Sequence, residues 1–383
     1  MINTVGVLLH QHKGEFSLAF TANTLQEKQQ ELSCRVKNLI QQGSYVPKVV
    51  FKDDNTLSVE CSPAKCLYGN NVYEVSSGDL KTFVDTLTRI LDQLGISVRA
   101  NDLYNAHCWR IDYAKETLLP CSADEMSELL MHSIPKGRMK KSVTVYVNQG
   151  RAIADSLSKR RAVFYDKKQE FLSDKHNKDE NLKTLLKSIS GSLWRFEFSM
   201  KTAKEIKREL GQCGYGPDVR LSVLFNHQIA QAVLTRRFEE FKASLIDWTP
   251  KQAVCFLRKS LPSVPVRGLR DCFYKMTIIL LVSLLGVNTV SSAVAQCAGE
   301  RAVCTFKRDV RAIRQNIAPE LPDCIKKIQE SLRNMQPVTD KLLQRAVPSV
   351  PSNALFLCLN APVLLALIRV LLPQLAQKME GDL

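Results

Sequence analysis

Two short segments each carry an arginine and a carboxylate two residues apart, in stretches whose apolar pattern predicts β-strands. The first pair is Arg110 and Asp112, and the second is Arg195 and Glu197. Because alternate side chains of a strand point to the same face, each arginine should share a face with its carboxylate. The same alternation predicts that His107 faces away from Asp112. Two such strands would together build a site with two acidic groups.

Oxygen-rich sites of this kind suit hard divalent cations. Mg²⁺ and Mn²⁺ prefer carboxylate ligands, so a site built from Asp112 and Glu197 would suit either ion. His10 and His12 share a face near the first predicted strand and are an alternative ligand pair. A second interpretation stays open, in which the arginines and carboxylates form cross-strand ion pairs on a solvated sheet face.

A tyrosine and a lysine two residues apart supply the third element of the candidate site. The strand pattern at 162–165 ends on Tyr165 and, if it continues, points Lys167 to the same side. A phenol has a pKa of about 10, so its attack on a phosphate needs a neighbouring cation. Lys167 is positioned to supply that charge. The alternative, also open, is a tyrosine packed at a strand end beside solvated lysines.

Basic residues surround these positions in the sequence. Lys and Arg number 53 against 38 Asp and Glu, and the formal net charge of +15 favours an anionic partner such as nucleic acid. Basic runs at 136–141 and 159–161 precede Tyr165. The residues that we expect to contact DNA are Arg110, Arg138, Lys140, Lys141, Arg151, Lys159, Arg160, Arg161, Lys168 and Arg195.

The elements that must position these residues divide the chain into two parts. Strand patterns occur at the N-terminus and at 45–50, 57–61, 105–114, 143–147, 162–165 and 193–200, with helical patterns at 78–96, 122–133 and 182–188. After residue 201 the pattern is helical. We therefore predict an α+β fold: an antiparallel-sheet domain over 1–215 followed by an all-helical region over 216–383, with Pro-rich joints at 262–265 and 348–351.

The C-terminal half contains two strongly apolar stretches. The stretch at 276–287 has 12 residues, fewer than the roughly 20 needed to span a bilayer, and polar residues and a proline interrupt the stretch at 354–372. We expect buried or self-associating helices and no stable membrane association. The 12 scattered cysteines contain no C-x-x-C pair, which favours a reduced, cytoplasmic protein.

Four short blocks, in this order, resemble the gene-two (II/X) replication proteins of filamentous phages and, more distantly, the rolling-circle initiators of small plasmids. They are 59–65 (VECSPAK) with 69–72 (GNNV); 110–112 (RID); 142–145 (SVTV) leading to 165–167 (YDK); and 195–197 (RFE) with Lys201. One departure is that the His-hydrophobe-His metal motif of many related nickases is missing. Here His107 is followed by cysteine and tryptophan.

The resemblance implies a specific activity. Such enzymes nick origin DNA, keep the 5′ end on a tyrosine, leave a 3′-OH for the host polymerase and later religate the displaced strand. Carried onto this sequence, Tyr165 would be the nucleophile, Asp112 and Glu197 the ligands of Mg²⁺ or Mn²⁺, and Lys167 a charge-neutralising residue. The implied partners are phage origin DNA, the displaced single strand, and a host helicase and polymerase in the bacterial cytoplasm, with an oligomer possible. The alternative is a non-enzymatic DNA-binding protein, either a repressor or a single-strand binder.

Overall fold

The computed structural model describes residues 1–124, 126, 143–146, 152–157, 159–174, 179–242, 268–285, 287–316 and 323–346. The chain forms two compact units: a sheet unit (1–123, 141–240 and 327–348) and a helical unit (124–140, 241–326 and 349–383). The division at 215/216 expected from the sequence stays a prediction. By their contacts, residues 216–240 and 327–348 belong with the sheet.

One antiparallel sheet of eight strands dominates the sheet unit, in the order β3-β4-β1-β6-β10-β9-β8-β7, and β2 and β5 form a separate pair. The strands are β1 Ile2–His10, β2 Phe16–Leu18, β3 Lys48–Asp53, β4 Thr56–Cys61, β5 Ile96–Val98, β6 His107–Leu119, β7 Val143–Tyr146, β8 Ala152–Leu157, β9 Arg160–Asp166 and β10 Ser192–Met200. The predicted α+β fold with an antiparallel sheet is therefore confirmed.

Helices connect the strands and make up the described elements after residue 201. They are α1 Leu25–Gln41, α2 Pro63–Tyr68, α3 Leu80–Gln93, α4 Ala100–Asn105, α5 Lys167–Ser173, α6 Glu180–Ser188, α7 Ala203–Gln212, α8 Leu221–Leu224, α9 His227–Lys242, α10 Leu269–Leu285, α11 Val287–Asn316, α12 Asp323–Asn334 and α13 Asp340–Arg345. Helix α3 matches its predicted apolar spacing. Helix α1, which begins at a Thr24–Glu27 capping box, was not predicted.

An aromatic core covers one face of the sheet and follows from the alternation in β10. Trp194 and Phe196 point to this face, where Phe164 of β9 lies 5.2 Å from Trp194 between ring centroids. Phe238 of α9 packs 5.7 Å from Phe196, and all four rings are buried. Each buried aromatic ring contributes about 2–3 kcal/mol of hydrophobic stabilisation. The opposite side of the same strands is left for polar residues.

The helical unit contains its own apolar core. In α10, Ile278 and Val282 pack against Phe306 and Val310 of α11, which is kinked at Gly299. The prediction of a buried helix at 276–287 is confirmed for the residues of α10. The stretch at 354–372 and both Pro-rich joints lie outside the described residues. Within the described part of the chain, no helix combines the length and apolarity needed to cross a membrane.

Candidate active site on the polar face of the sheet

The polar face is the side of the sheet that carries Tyr165, Glu197, Asp112, Arg110 and Gly6. The strand register arranges it in four cross-strand rows, spaced about 7 Å apart because each row is two residues further along. Row one is Glu116–Arg195–Tyr165; row two is Ala114–Glu197–Val163; row three is Thr4–Asp112–Ser199–Arg161; row four is Lys48–Glu60–Gly6–Arg110. The candidate residues of the three predicted strands, β6, β9 and β10, thus lie on one face of the same sheet.

Tyr165 has a partly exposed ring and a hydroxyl that meets a buried arginine. Nη1 of Arg195 lies 3.3 Å from the Tyr165 hydroxyl oxygen and 3.1 Å from Oδ1 of Asn3. The guanidinium also donates to Glu116 and to the backbone carbonyl of Asn71. Burial raises the pKa of Tyr165 above its usual value, and the positive charge of Arg195 partly offsets that rise. Arg195 is thus positioned to stabilise a tyrosinate.

Lys167 does not extend the strand of Tyr165, so the predicted strand geometry is wrong. Strand β9 ends at Asp166, whose side chain caps helix α5 by accepting from the Gln169 amide, and Lys167 is the first residue of that helix. The Lys167 ammonium is fully buried and donates to Oδ1 of Asn71 at 2.9 Å and to Glu170. Burial and the nearby Arg195 lower the pKa of Lys167 to about 8.

Asp112 and Glu197 are diagonal neighbours in rows two and three. Burial is the largest cause that raises the pKa of each carboxyl, and the charge of Asp112 raises the pKa of Glu197 further. Arg110 partly compensates Asp112 with two hydrogen bonds, of 3.2 and 2.6 Å. Glu197 accepts from Asn3 at 3.0 Å and from Ser199 at 3.4 Å. The protein therefore compensates the charged forms of both carboxyls only in part, and a bound cation would stabilise those forms.

This donor set fits a hard cation in chemistry but is incomplete by itself. Among the described residues, no group of three or more His, Cys, Asp or Glu side chains could hold a metal ion. Mg²⁺ is often held by one or two carboxylates together with waters and phosphate oxygens of the substrate. Asp112 and Glu197 would supply the two carboxylates of such a site, and the remaining ligands would come from DNA and water.

His10, His12 and His107 lie beyond row four, and one irregularity in β6 changes the predicted facing of His107. His10 and His12 lie with ring centroids 5.3 Å apart at the far end of β1, about 20 Å along the strand from row three. A β-bulge between Gly6 and Val7 shifts the register with β6, so His107 pairs with Leu8. The expectation that His107 and Trp109 face away from Asp112 assumed a regular strand and is wrong.

The predicted DNA contacts that the structure describes fall into three groups. Arg161 and the partly exposed Arg110 lie on the polar face, the latter also paired with Glu60. Arg195 is buried and its guanidinium is held by protein partners, which argues against the predicted direct contact with DNA. The others are exposed Lys159, Arg160 beside Glu209, and Lys168, which donates to the Ile189 carbonyl. Arg138, Lys140, Lys141 and Arg151 lie outside the described residues.

The sequence interpretation missed three residues that complete the site. Asn3 connects Glu197 to Arg195 from the first bulge of β1, and Asn71 connects Arg195 to Lys167 from the loop after α2. Glu116 pairs with Arg195 because β6 continues five residues beyond the predicted strand end. Glu116 could have been predicted from the sequence, because the alternation that places residues 110 and 112 on one face continues to 114 and 116. Asn3 and Asn71 reach the site only through the tertiary fold.

An antiparallel sheet whose polar face combines arginines, carboxylates and a tyrosine, in a chain with a net charge of +15, suits a protein that handles nucleic acid. A family model for the N-terminal part of a phage replication-associated protein, Phage_CRI, matches residues 2–214. The chain therefore belongs to this family of filamentous-phage replication initiators. No curated protein and no solved structure matches the chain. The family's role implies binding to phage origin DNA.

Proposed function

We propose that this replication initiator nicks one strand of phage origin DNA and keeps the new 5′ end on Tyr165. One observation carries the proposal: Tyr165 with Arg195, then Glu197, then Asp112 occupy successive rows of one polar face. This arrangement brings a nucleophile, a fixed positive charge and two cation-binding carboxylates within about 14 Å along the strands. Such a constellation supports phosphoryl transfer to a tyrosine.

The proposed reaction is an in-line displacement at phosphorus. The Oη–P bond to Tyr165 forms while the bond from phosphorus to the 3′ oxygen breaks, and that oxygen leaves as a hydroxyl after taking up a proton. The phenol proton passes to Glu116, which is near enough for its charge to raise the pKa of Tyr165, and the leaving 3′ oxygen takes its proton from water. Because the phosphodiester energy is conserved in the tyrosyl ester, attack by a 3′-OH religates the strand without ATP.

The chain's own residues have separable tasks in this scheme. Arg195 stabilises the tyrosinate and stays in position because Glu116, Asn3 and the Asn71 carbonyl hold its guanidinium. Lys167, also held by Asn71, adds positive charge at the same end of the polar face. Fixed charges aimed at a developing negative charge are usually the largest source of rate enhancement.

A divalent cation completes the proposed chemistry. Asp112 and Glu197 would hold Mg²⁺ or Mn²⁺, which when bound would polarise the scissile phosphate and offset its charge. The raised pKa values of both carboxyls support this assignment, since they indicate acidic charge that the protein itself leaves partly uncompensated.

We further propose that the substrate is supercoiled origin DNA and that the displaced single strand is bound during replication. The 3′-OH would then serve a host polymerase, with a host helicase opening the duplex. Arg110 and Arg161, which occupy rows four and three, are the described candidates on this face for phosphate contacts. Self-association during replication is a further proposal.

The test uses full-length protein, supercoiled origin DNA and Mg²⁺, followed by denaturation and gel analysis of relaxed circles. We expect relaxation that EDTA abolishes and Mn²⁺ restores. Tyr165→Phe should lose the reaction, and the matched variant Tyr68→Phe, whose hydroxyl lies on the surface beside Asp79, should keep it. Equal relaxation by both variants would refute the tyrosine mechanism.

The competing function is DNA binding without catalysis, as a repressor or single-strand binder. It predicts salt-sensitive binding with no relaxed circles under any metal condition. Tyr165 and Glu197 each keep part of their surface accessible, as an enzyme that receives a DNA strand on this face requires.

A further inference from the structure

Trp109 occupies an unusual position on the polar face, one row away from Asp112. The β-bulge opposite Gly6 and Val7 makes it the extra residue of β6. Its Nε1, Cε2 and Cζ2 atoms lie 2.7–2.9 Å from the point where a Cβ on Gly6 would be. Three bonded ring atoms at nearly equal distance are the geometry of a ring lying flat. The indole therefore lies flat over Gly6, with its other face directed away from the sheet.

Ordinary packing does not account for this ring. A buried tryptophan N–H usually finds an acceptor, but among the described residues Nε1 of Trp109 has no hydrogen-bond partner. The side chain is only partly buried, and Lys52 is its cationic neighbour, with Nζ 6.0 Å from the ring centroid. The contact that holds the ring flat is the one with Gly6, the one residue type without a side chain to displace it.

Cationic residues lie on the same side of the sheet as the ring. Lys52 lies over it, Arg110, which pairs with Asp112 and Glu60, is the next residue in β6, and Lys48 shares row four with Gly6. Beside rows three and four a cleft of about 320 Å³ opens, lined by polar residues that include Thr4 and Lys65. A flat aromatic surface with lysines and an arginine around it has the composition of a platform for nucleic-acid bases.

We infer that Trp109 stacks on an unpaired base of the origin strand, one row from the proposed carboxylate site. The inference rests on the proposed nicking function, because that function requires an unpaired strand on this face. The base would replace Lys52 over the ring and release its ammonium to contact the flanking phosphate. Since rows three and four are about 7 Å apart, the base belongs to a nucleotide close to the scissile phosphate.

The platform predicts no base identity by itself. Every base has a π-face, so stacking tolerates different sequences. Among the described neighbours, Lys48, Lys52 and Arg110 recognise phosphate charge, which is likewise independent of sequence. The inferred ligand is therefore a single-stranded segment next to the nick, and not a sequence-specific duplex site.

The test measures binding in the Tyr165→Phe background with EDTA, so that it is independent of nicking. A fluorescent single-stranded oligonucleotide from the origin is titrated into the protein, and a series of oligonucleotides carries one abasic position each. We expect Trp109→Ala to weaken binding roughly 5- to 100-fold, with Trp109→Phe retaining most of the affinity. For the protein with Trp109, one abasic position should lower the affinity as much as Trp109→Ala does. For Trp109→Ala, the same abasic position should cause no further loss of affinity.

Two readouts keep the inference falsifiable if Trp109→Ala fails to fold. The first is the abasic series, which uses protein with an intact Trp109. The second is the intrinsic fluorescence of Trp109, which the oligonucleotide should quench, and this quenching should be lost in Trp109→Phe. Equal affinity for every abasic oligonucleotide, or a quench that persists in Trp109→Phe, would overturn the platform. Because no step depends on nicking, a platform that holds in a protein unable to nick would refute the proposed function alone.

Discussion

The two ends of the polar face differ in burial and in how firmly their side chains are held. At the Tyr165 end, Arg195 is buried, and several hydrogen-bond partners hold its guanidinium against the tyrosine hydroxyl. At the Trp109 end, the ring is partly exposed and Lys52 above it makes only a distant contact. The difference teaches that one sheet face can hold the proposed reacting groups rigidly in one place and leave the inferred binding surface open about 20 Å further along.

The strongest test of this contrast is the Arg195→Ala variant. It leaves Glu116 buried without its partner and removes the link between Asn3 and Asn71, so we expect a loss of about 3–5 kcal/mol in the free energy of unfolding. Urea unfolding measures it. The matched variant Arg99→Ala removes an exposed ion pair and should leave the transition unchanged. Similar curves for both would mean that the Tyr165 end is not a rigid network.

The Glu197→Gln variant separates function from stability at the same end. It should reduce Mg²⁺-dependent nicking about 100-fold or more, because one of the two cation-binding carboxylates is lost. The protein should nevertheless melt at the same or a higher temperature, since the amide removes a buried charge that Asp112 repels.

The sign follows from proton linkage. A carboxyl whose pKa is raised by folding makes the folded state less stable as pH rises through that range, and the glutamine variant lacks this loss. The matched control Glu31→Gln removes an exposed carboxylate of α1 and should change neither property. Lower melting temperature with full nicking would contradict the assignment of Glu197.

The buried lysine gives the Tyr165 end a specific pH signature. Because the pKa of Lys167 falls to about 8 in the folded protein, the unfolded chain binds more protons above that pH, and stability rises between pH 8 and about 10. We expect a gain of about 2–3 kcal/mol across this window, measured by urea unfolding at fixed pH values. Lys167→Met should lose the rise; a parallel rise in the variant would assign it to another group.

At the Trp109 end the Gly6→Ala variant should act through the ring alone. Its Cβ would lie 2.7 Å from the indole, so the ring must tilt away from the sheet. We expect single-strand affinity to fall a few-fold with nearly unchanged net stability of the sheet. Gly211→Ala, in helix α7 with open space around its Cβ position, is the matched control. Unchanged affinity in Gly6→Ala would show that the flat ring is not the binding surface.

The smallest effect is expected for Lys52→Ala. A lysine that contacts one phosphate should change the slope of log affinity against log salt by about one, with a modest loss of affinity. Trp109→Ala, by contrast, should leave that slope unchanged because stacking releases no counterion. Fluorescence anisotropy over a salt series distinguishes the two. If the slope of log affinity against log salt changed in Trp109→Ala and not in Lys52→Ala, the assigned roles of the ring and the lysine would be wrong.

Sequence patterns predicted the sheet well because alternation is local. The Trp-x-Phe-x-Phe pattern of β10 fixes which side is apolar, and Arg195 and Glu197 are then required to share the other side. The same reasoning identified the polar face of Asp112. Helix α3 followed equally well from its spacing.

The remaining features depend on irregularities that no periodicity contains. The β-bulge in β6 reverses the predicted facing of Trp109, because one extra residue shifts the alternation. The end of β9 at Asp166 turns Lys167 into a helix residue, since the aspartate serves as a cap. Asn3 and Asn71 enter the site through tertiary contacts alone.

The measurement that tests the account most directly is the chemical identity of the DNA-linked residue. Full-length protein is reacted with origin DNA and Mg²⁺, the adduct is digested with nuclease and protease, and the modified peptide is sequenced by mass spectrometry. The account predicts a nucleotide on the hydroxyl of Tyr165. A nucleotide on another tyrosine would contradict it. Tyr146 is the first alternative to check, because it pairs with Ala152, which in turn pairs with Tyr165 of row one.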